Sequence, residues 1–137
     1  MNFTNYDYVV LLQPTSPLRK ASDIEKSIKL FLSKKNPSSL ISVSEVSDNH
    51  PARMYYMKNN FLLKHPLSEK ISGTPRQKLK KMFLRNGAIY IINKFRLSKS
   101  FLGKKLVAYE MPKERSINID DMFDLKIIKY LIKKNEK

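Results

Sequence analysis

Three short stretches hold the residues whose types and spacing could do chemistry. Gln13-Pro14-Thr15-Ser16-Pro17-Leu18-Arg19 directly follows the apolar run Tyr8-Val9-Val10-Leu11-Leu12. Two prolines fix φ and restrict their neighbours, so this loop is stiff and presents Gln13, Thr15 and Ser16 reproducibly. Polar groups just past the carboxyl end of a buried strand stand where open α/β sheets bind their ligands. Taken alone, a proline-rich strand-to-helix turn without a ligand fits equally well. In the second stretch, Thr74-Pro75-Arg76-Gln77 and then Asn86-Gly87-Ala88-Ile89-Tyr90-Ile91, Arg76 could clamp a carboxylate bidentately. Gln77 and Asn86 could recognise hydroxyl or amide groups; a surface arginine and an Asn-Gly turn into a strand are the plainer alternative. The third is Ser116-Ile117-Asn118-Ile119-Asp120-Asp121. If it is extended, both isoleucines share one face and Asn118 and Asp120 the other. Their oxygens would suit a hard cation such as Mg²⁺ holding a triphosphate. Alternatively, Asp120 or Asp121 simply caps the helix that follows.

These stretches need elements to position them. Tyr8–Leu12 predicts a buried strand. Ser22-Asp23-Ile24-Glu25 has the form of a capping box, and Ile24, Ile28, Phe31 and Leu32 fall at helical spacing up to Asn36-Pro37. Ser39–Ser44, β-branched and partly alternating, predicts a second strand, so strand, helix and strand make a βαβ unit and a parallel sheet with helices on its faces. Arg53–Lys58 and Phe61–Lys64 flank Asn59-Asn60, which predicts a hairpin. Residues 66–81 are polar and basic, a loop or excursion. Gly87–Ile92 and Leu106–Met111 predict further strands. The last helix, from about Asp121 to Lys134, carries Leu125, Ile128, Leu131 and Ile132 as its buried stripe.

Composition bounds the rest. A chain of 137 residues with 42% hydrophobic and 10% aromatic content is a one-domain length with an ordinary core. It has no cysteine, which excludes disulfides and thiolate metal sites. No apolar run approaches the roughly 20 residues of a membrane helix, and the start shows no signal-peptide pattern, so a cytoplasmic protein is expected. The net charge of +15 comes from 27 Lys and Arg against 12 Asp and Glu. The lysines are dispersed in pairs without a nucleic-acid-binding motif, so the excess suits a solvated surface or attraction of small anions better than a nucleic acid.

In their order and spacing, the three stretches together resemble the acylneuraminate cytidylyltransferases, the CMP-sialic acid synthetases. The runs that carry the resemblance are Leu11–Arg19, Pro75-Arg76-Gln77, Asn86–Ile91 and Ser116–Asp120. The resemblance implies a partial Rossmann-like nucleotidyltransferase fold, α/β in class. Its sheet would be mostly parallel with flanking helices, in one domain over 1–137 with a substrate and dimerisation excursion at about 53–85. It implies attack of the anomeric hydroxyl of a nonulosonic acid on the α-phosphate of CTP, giving the CMP-sugar and pyrophosphate. Gln13 would touch the acyl sugar, Arg76 and Gln77 its polar and charged groups, and Asn86 and Tyr90 its side chain. Arg53, in His50-Pro51-Ala52-Arg53, would be a further basic contact. Asp120 would be one of two metal-binding residues for Mg²⁺. The partners implied are CTP, a sialic-acid-like sugar and a second copy of the chain.

Three departures qualify this expectation. The family's basic, glycine-rich phosphate loop has no counterpart here, where glycine occurs only at Gly73, Gly87 and Gly103. Asn118 stands where the family has its first metal-binding aspartate, which removes a negative charge. Leu84 stands where an arginine is common, with Arg85 beside it. The expectation is therefore a catalytically incomplete, N-terminally truncated chain, either a homodimer or joined by an N-terminal half that completes it. A non-catalytic sugar-binding or dimerisation module of the same fold and a basic nucleic-acid-binding module are the rivals.

Overall fold

A computed structural model describes residues 5–47, 49–68, 73–97 and 102–135. The elements in chain order are β1 (Tyr8–Leu11), α1 (Ala21–Ser33), β2 (Ser39–Glu45), β3 (Tyr55–Lys58), β4 (Phe61–Lys64), β5 (Phe83–Asn93), β6 (Leu106–Glu110) and α2 (Met122–Asn135), with four single 3₁₀ turns between them. The chain divides into two compact units, Met1–Ser44 with Arg85–Lys137, and Glu45–Leu84.

The first unit is built on a four-stranded sheet of order β1-β5-β2-β6. β1 pairs antiparallel with β5, Tyr8 opposite Asn93 and Leu11 opposite Tyr90. β5 also opposes β2: the Asn93 amide donates to the Ser38 carbonyl at one end, and Ile89 meets Ser42 further along. β2 and β6 are parallel, Ser39 opposite Leu106 and Val43 opposite Glu110. The sheet is thus mixed rather than mostly parallel. β1, β2 and β6 run one way, and the long strand β5 runs the other way between β1 and β2. The carboxyl ends of three strands therefore share one edge of the sheet with the start of the buried part of β5.

Burial explains why these segments pair as they do. Ala88 to Ile92 are buried without interruption, as a strand flanked on both sides must be. Phe31, Leu40, Ala88, Ile89, Ile91 and Met111 form the core cluster, with Tyr8, Val10, Ile24, Ile28, Val107 and Tyr109 packed against it. Helix α1 buries Phe31 but leaves Leu32, expected in its stripe, facing solvent. The helix also starts earlier than the Ser22 capping box implied. Lys20 is the N-cap, and its amide donates to the Asp23 carboxylate at 3.0 Å. In α2, Ile128 is buried and Leu125 and Leu131 are half-buried, while Ile132 lies at the exposed margin of that stripe.

In the second unit, β3 and β4 form the expected hairpin, Lys58 opposite Phe61. Asn59 and Asn60 both take positive φ, 48° and 64°, as a two-residue turn matched to strand twist requires. Tyr55, Tyr56, Met57, Phe61, Leu62 and Leu63 are all exposed within that unit.

One polar cluster lies inside the first unit. Asp23 is 1% exposed and accepts from Arg115 Nε at 3.0 Å, Arg115 Nη2 at 2.7 Å and the Tyr109 hydroxyl at 3.2 Å. Burial pushes the Asp23 carboxyl up, but the hydrogen bonds from Arg115 and the Lys20 amide, with the guanidinium charge, outweigh it and hold the group below its usual value. The same pair raises Arg115, chiefly through the hydrogen bond to Asp23. Burial, then the charge of Asp23, raises Tyr109.

Because the folded pKa of Asp23 is depressed, its contribution is complete above the unfolded value and is lost as pH falls through the folded one. Asp23→Asn should cost about 3 kcal/mol at neutral pH, the low end for breaking a buried pair because Arg115 keeps some solvent contact. The gap between wild type and variant should close as pH drops below about 4. Urea midpoints measured from pH 7 down to pH 2 check this, and a gap that does not vary with pH would refute it.

Candidate functional site

The shared edge of the sheet gathers three segments of the first unit: the loop after β1, the Asn86-Gly87 start of the buried part of β5, and the strap Met111–Ile119 after β6. Each is held by specific bonds. Arg19 turns back over its own loop and donates to the Gln13 carbonyl at 3.2 Å and the Ala88 carbonyl at 2.6 Å, tying the loop to β5. Buried Ser16 donates its hydroxyl to Asn118 Oδ1 at 2.7 Å, and the Ile119 amide donates to the Thr15 carbonyl at 2.8 Å. Loop and strap are therefore sewn together at two adjacent points.

Asn86 does similar work one layer in. It is buried, its Oδ1 accepting from the Ser42 hydroxyl at 2.6 Å and the Ala88 amide at 3.2 Å, while Nδ2 donates to the Ser116 hydroxyl at 2.9 Å. Ser42 Oγ in turn accepts from the Ile89 amide at 2.7 Å. Around Gly87 the strand's N–H groups are thus met by side-chain oxygens, which is how a buried strand can bend without orphaning its donors.

Gly87 is required here for two reasons. Its φ is +73°, and a Cβ would fall on the Gln13 Oε1 and within 3.4 Å of Asn118 Nδ2. Gln13, Gly87 and Asn118 therefore meet at one spot. The Gln13 side-chain amide is half-buried and has no hydrogen-bond partner among the described residues. It is a polar group held beside a bare backbone, an arrangement suited to hydrogen-bonding the amide or hydroxyl of a ligand.

The other expected residues distribute unevenly. Tyr90 is buried in β5, three residues beyond Gly87. The strap around Asn118 forms no regular strand, its backbone being spent on the loop at Thr15. Asp120 is exposed, and the capping alternative holds for its neighbour: Asp121 Oδ1 accepts from the Phe123 and Asp124 amides, while Asp124 Oδ2 accepts from those of Asp120 and Asp121. Arg53, Arg76 and Gln77 belong to the other unit. There Arg76 and Gln77 line a cleft of about 300 Å³ with Glu45, His50, Lys80 and Lys81. His50 accepts from the Ala52 amide at Nδ1, so its Nε2 carries the proton donated to the Lys80 carbonyl at 2.9 Å. Arg53 is exposed beyond that cleft. Leu84 and Arg85 are both exposed at the start of β5.

No family model matches the chain. Among curated proteins, an N-acylneuraminate cytidylyltransferase of Escherichia coli O18:K1:H7 is 31% identical over 127 residues, 91% of this chain and 30% of that protein. Another from Streptococcus agalactiae serotype V is 35% identical over 118 residues, 84% of this chain and 28% of that protein. The chain is a relative of the N-acylneuraminate cytidylyltransferases. It spans less than a third of the length of both, at 30% and 28%. A Campylobacter coli protein named post-translational flagellin modification protein B is 27% identical over 130 residues, 93% of this chain and 54% of that protein.

For the Mg²⁺ that the resemblance implies, the site offers few donors. Among the described residues no group of three or more His, Cys, Asp or Glu side chains comes together. Asp120 offers an exposed carboxylate, and Asn118 Oδ1 already accepts from Ser16. Such a pair fits a cation that arrives with phosphates and water, as Mg²⁺ commonly does, and not one caged by protein alone. What the sequence missed is the scaffold of the site: Asp23 and Ser116 stood inside recognised stretches without a role of their own, and Ser42 and Arg115 carried no signal.

Gly87→Ala should cost about 1–2 kcal/mol from the left-handed φ alone and displace the Gln13 side chain. Thermal unfolding and the Gln13 side-chain amide resonances read the two effects. An unshifted Gln13 signal would show that the two do not touch.

Proposed function

We propose that the first unit carries the sugar-acid side of a cytidylyltransferase site, acting on a nonulosonic acid of the sialic-acid class. The observation that supports this most directly is the partnerless Gln13 amide beside Gly87 and Asn118, at the carboxyl edge of three parallel strands. Gln13 hydrogen-bonds the acyl substituent. Asn86 and Tyr90, both buried, form the floor beneath it. Within the second unit, Arg76 and Gln77 line a cleft of their own that suits a carboxylate, since guanidinium binds a carboxylate in a fork.

In the full reaction the sugar's anomeric oxygen attacks the α-phosphorus of CTP and pyrophosphate leaves. The part played by these residues is positioning, which can remove several kcal/mol from such a barrier. Asp120 and Asn118 would hold Mg²⁺, which supplies charge neutralisation on the phosphates when bound. The 137 residues contain no glycine-rich basic loop, so the phosphates need donors from outside them. The exposed apolar β3–β4 hairpin favours a second reading, a sugar-binding or dimerisation module of the same fold. Two surfaces suit a complementing chain: β1, an outer strand of its sheet, and the apolar β3–β4 hairpin, since an isolated two-stranded hairpin is marginal in water. The hairpin suits a second copy of the chain.

Titration calorimetry with N-acetylneuraminate, legionaminate and pseudaminate tests the sugar assignment. One of them should bind, and Gln13→Ala should weaken it about tenfold, the worth of one good hydrogen bond. Binding of none of the three would sink the assignment. Pyrophosphate release from CTP and Mg²⁺ should be absent with this chain alone; robust turnover would refute the need for outside phosphate donors. Sedimentation should show a dimer that Phe61→Lys with Leu62→Lys dissociates, and a stable wild-type monomer would refute the role of the hairpin.

A further inference from the structure

The strap Met111–Ile119 is irregular, yet it sets half of the site. Its anchors can be followed in order. The Met111 amide donates to the Val43 carbonyl at 2.8 Å and continues the β2–β6 ladder. Pro112 ends the strand, and one 3₁₀ turn over Lys113–Arg115 swings the chain round. Arg115 then grips Asp23 through two guanidinium nitrogens. Ser116 bonds Asn86, Asn118 bonds Ser16 and Ile119 bonds Thr15.

Among the anchors just named, Arg115 is charged and grips its partner at two points. The bonds at Met111, Ser116, Asn118 and Ile119 are single neutral ones, each worth about 1 kcal/mol. Asp23 cannot shift either. It sits in the first turn of α1, buried, and is fixed further by the Lys20 amide and the Tyr109 hydroxyl. A planar fork on a fixed carboxylate specifies both distance and orientation, which a single hydrogen bond does not.

We propose that Arg115 is a positioning residue. Its two-point grip on Asp23 sets where Ser116, Asn118 and Ile119 stand, and so fixes how Asn118 meets the Gln13–Ser16 loop. That the Gln13 side chain beside Asn118 meets a sugar acid rests on the function proposed above; the positioning itself does not.

The test uses the full chain without ligand first. Arg115→Lys keeps the charge but loses the fork. Amide exchange at Ile119, which reports the bond to Thr15, should quicken at least tenfold relative to wild type. Exchange at Val9 and Ile92, a hydrogen-bonded pair of the β1–β5 ladder, should stay within about twofold, and the Asn86 and Asn118 side-chain amide resonances should move. Unchanged exchange at Ile119, or equal acceleration at all three amides, would overturn the proposal. Tyr109→Phe, which removes one bond to Asp23 and leaves the fork, provides a second, milder variant: it should quicken Ile119 by a few-fold while sparing Val9 and Ile92, and no change would count against the proposal. Sugar affinity is measured last. If Ile119 responds as stated while wild type binds no nonulosonic acid, the positioning role stands and the proposed ligand falls. If wild type binds, Arg115→Lys should weaken binding about tenfold.

Discussion

A carboxylate with almost no solvent exposure in the first turn of a helix forces much else in this fold. Left unpaired, Asp23 would take up a proton or break the packing around it, because an isolated buried charge is far more costly than any single contact can offset. The answer comes from the far end of the sequence. Arg115 reaches it from the turn after β6, and Tyr109 reaches it from β6 itself. Helix α1, the outer strand β6 and the strap that follows are thereby locked to one point. Such a pair contributes less to net stability than its short distances suggest, since desolvating both charges cancels much of the attraction. Its value lies in specificity: only one placement of the strap lets the guanidinium fork meet the carboxylate.

From that point outward the site is assembled with neutral groups. Ser42, Asn86 and Ser116 form a continuous buried chain of hydroxyls and one amide, and Ser16 with Asn118 forms a second. Hydroxyls can turn to donate or accept, so such chains satisfy one another without adding charge. They also release the strand from strict ladder geometry at Gly87. The bend this permits opens the space that Gln13 fills.

How much of this the sequence disclosed depends on the range of each interaction. Local signals were legible: the strand at Tyr8–Leu11 stood out as an apolar run, and the Asn59-Asn60 turn and the paired aspartates that begin the last helix rest on contacts within a few residues. Gln13, Asn86 and Asn118 were legible as polar residues beside special backbone. The place of β5 was not, because entry between β1 and β2 depends on pairing across the whole chain, and an apolar run reads alike in either direction. Ser116–Asp120 looked extended because its side chains alternate, whereas bonds to Ser16 and Thr15 fix its course. Asp23 was visible only as an interior residue of the Ser22–Glu25 pattern, and nothing local indicates a partner at Arg115, more than ninety positions away.

The exchange of aspartate for asparagine at position 118 can be weighed on the same terms. A carboxylate there would accept the Ser16 hydroxyl and keep further lone pairs for a cation. The amide accepts the hydroxyl through Oδ1 and turns Nδ2 toward Gly87 and Gln13. The group therefore becomes a donor on the side that faces the bare backbone. A donor there attracts the oxygens of a sugar or a carboxylate, and Asn118 can meet Mg²⁺ only through the Oδ1 that Ser16 already shares. Any metal would then depend chiefly on Asp120 and on phosphates brought by the nucleotide. The glycine-rich basic loop that would hold those phosphates is likewise missing from these residues. Both departures bear on the nucleotide side of the site: within these residues neither the phosphates nor their metal meet a full set of charged partners, while Asn118 spends its oxygen on closing the loop against the strap.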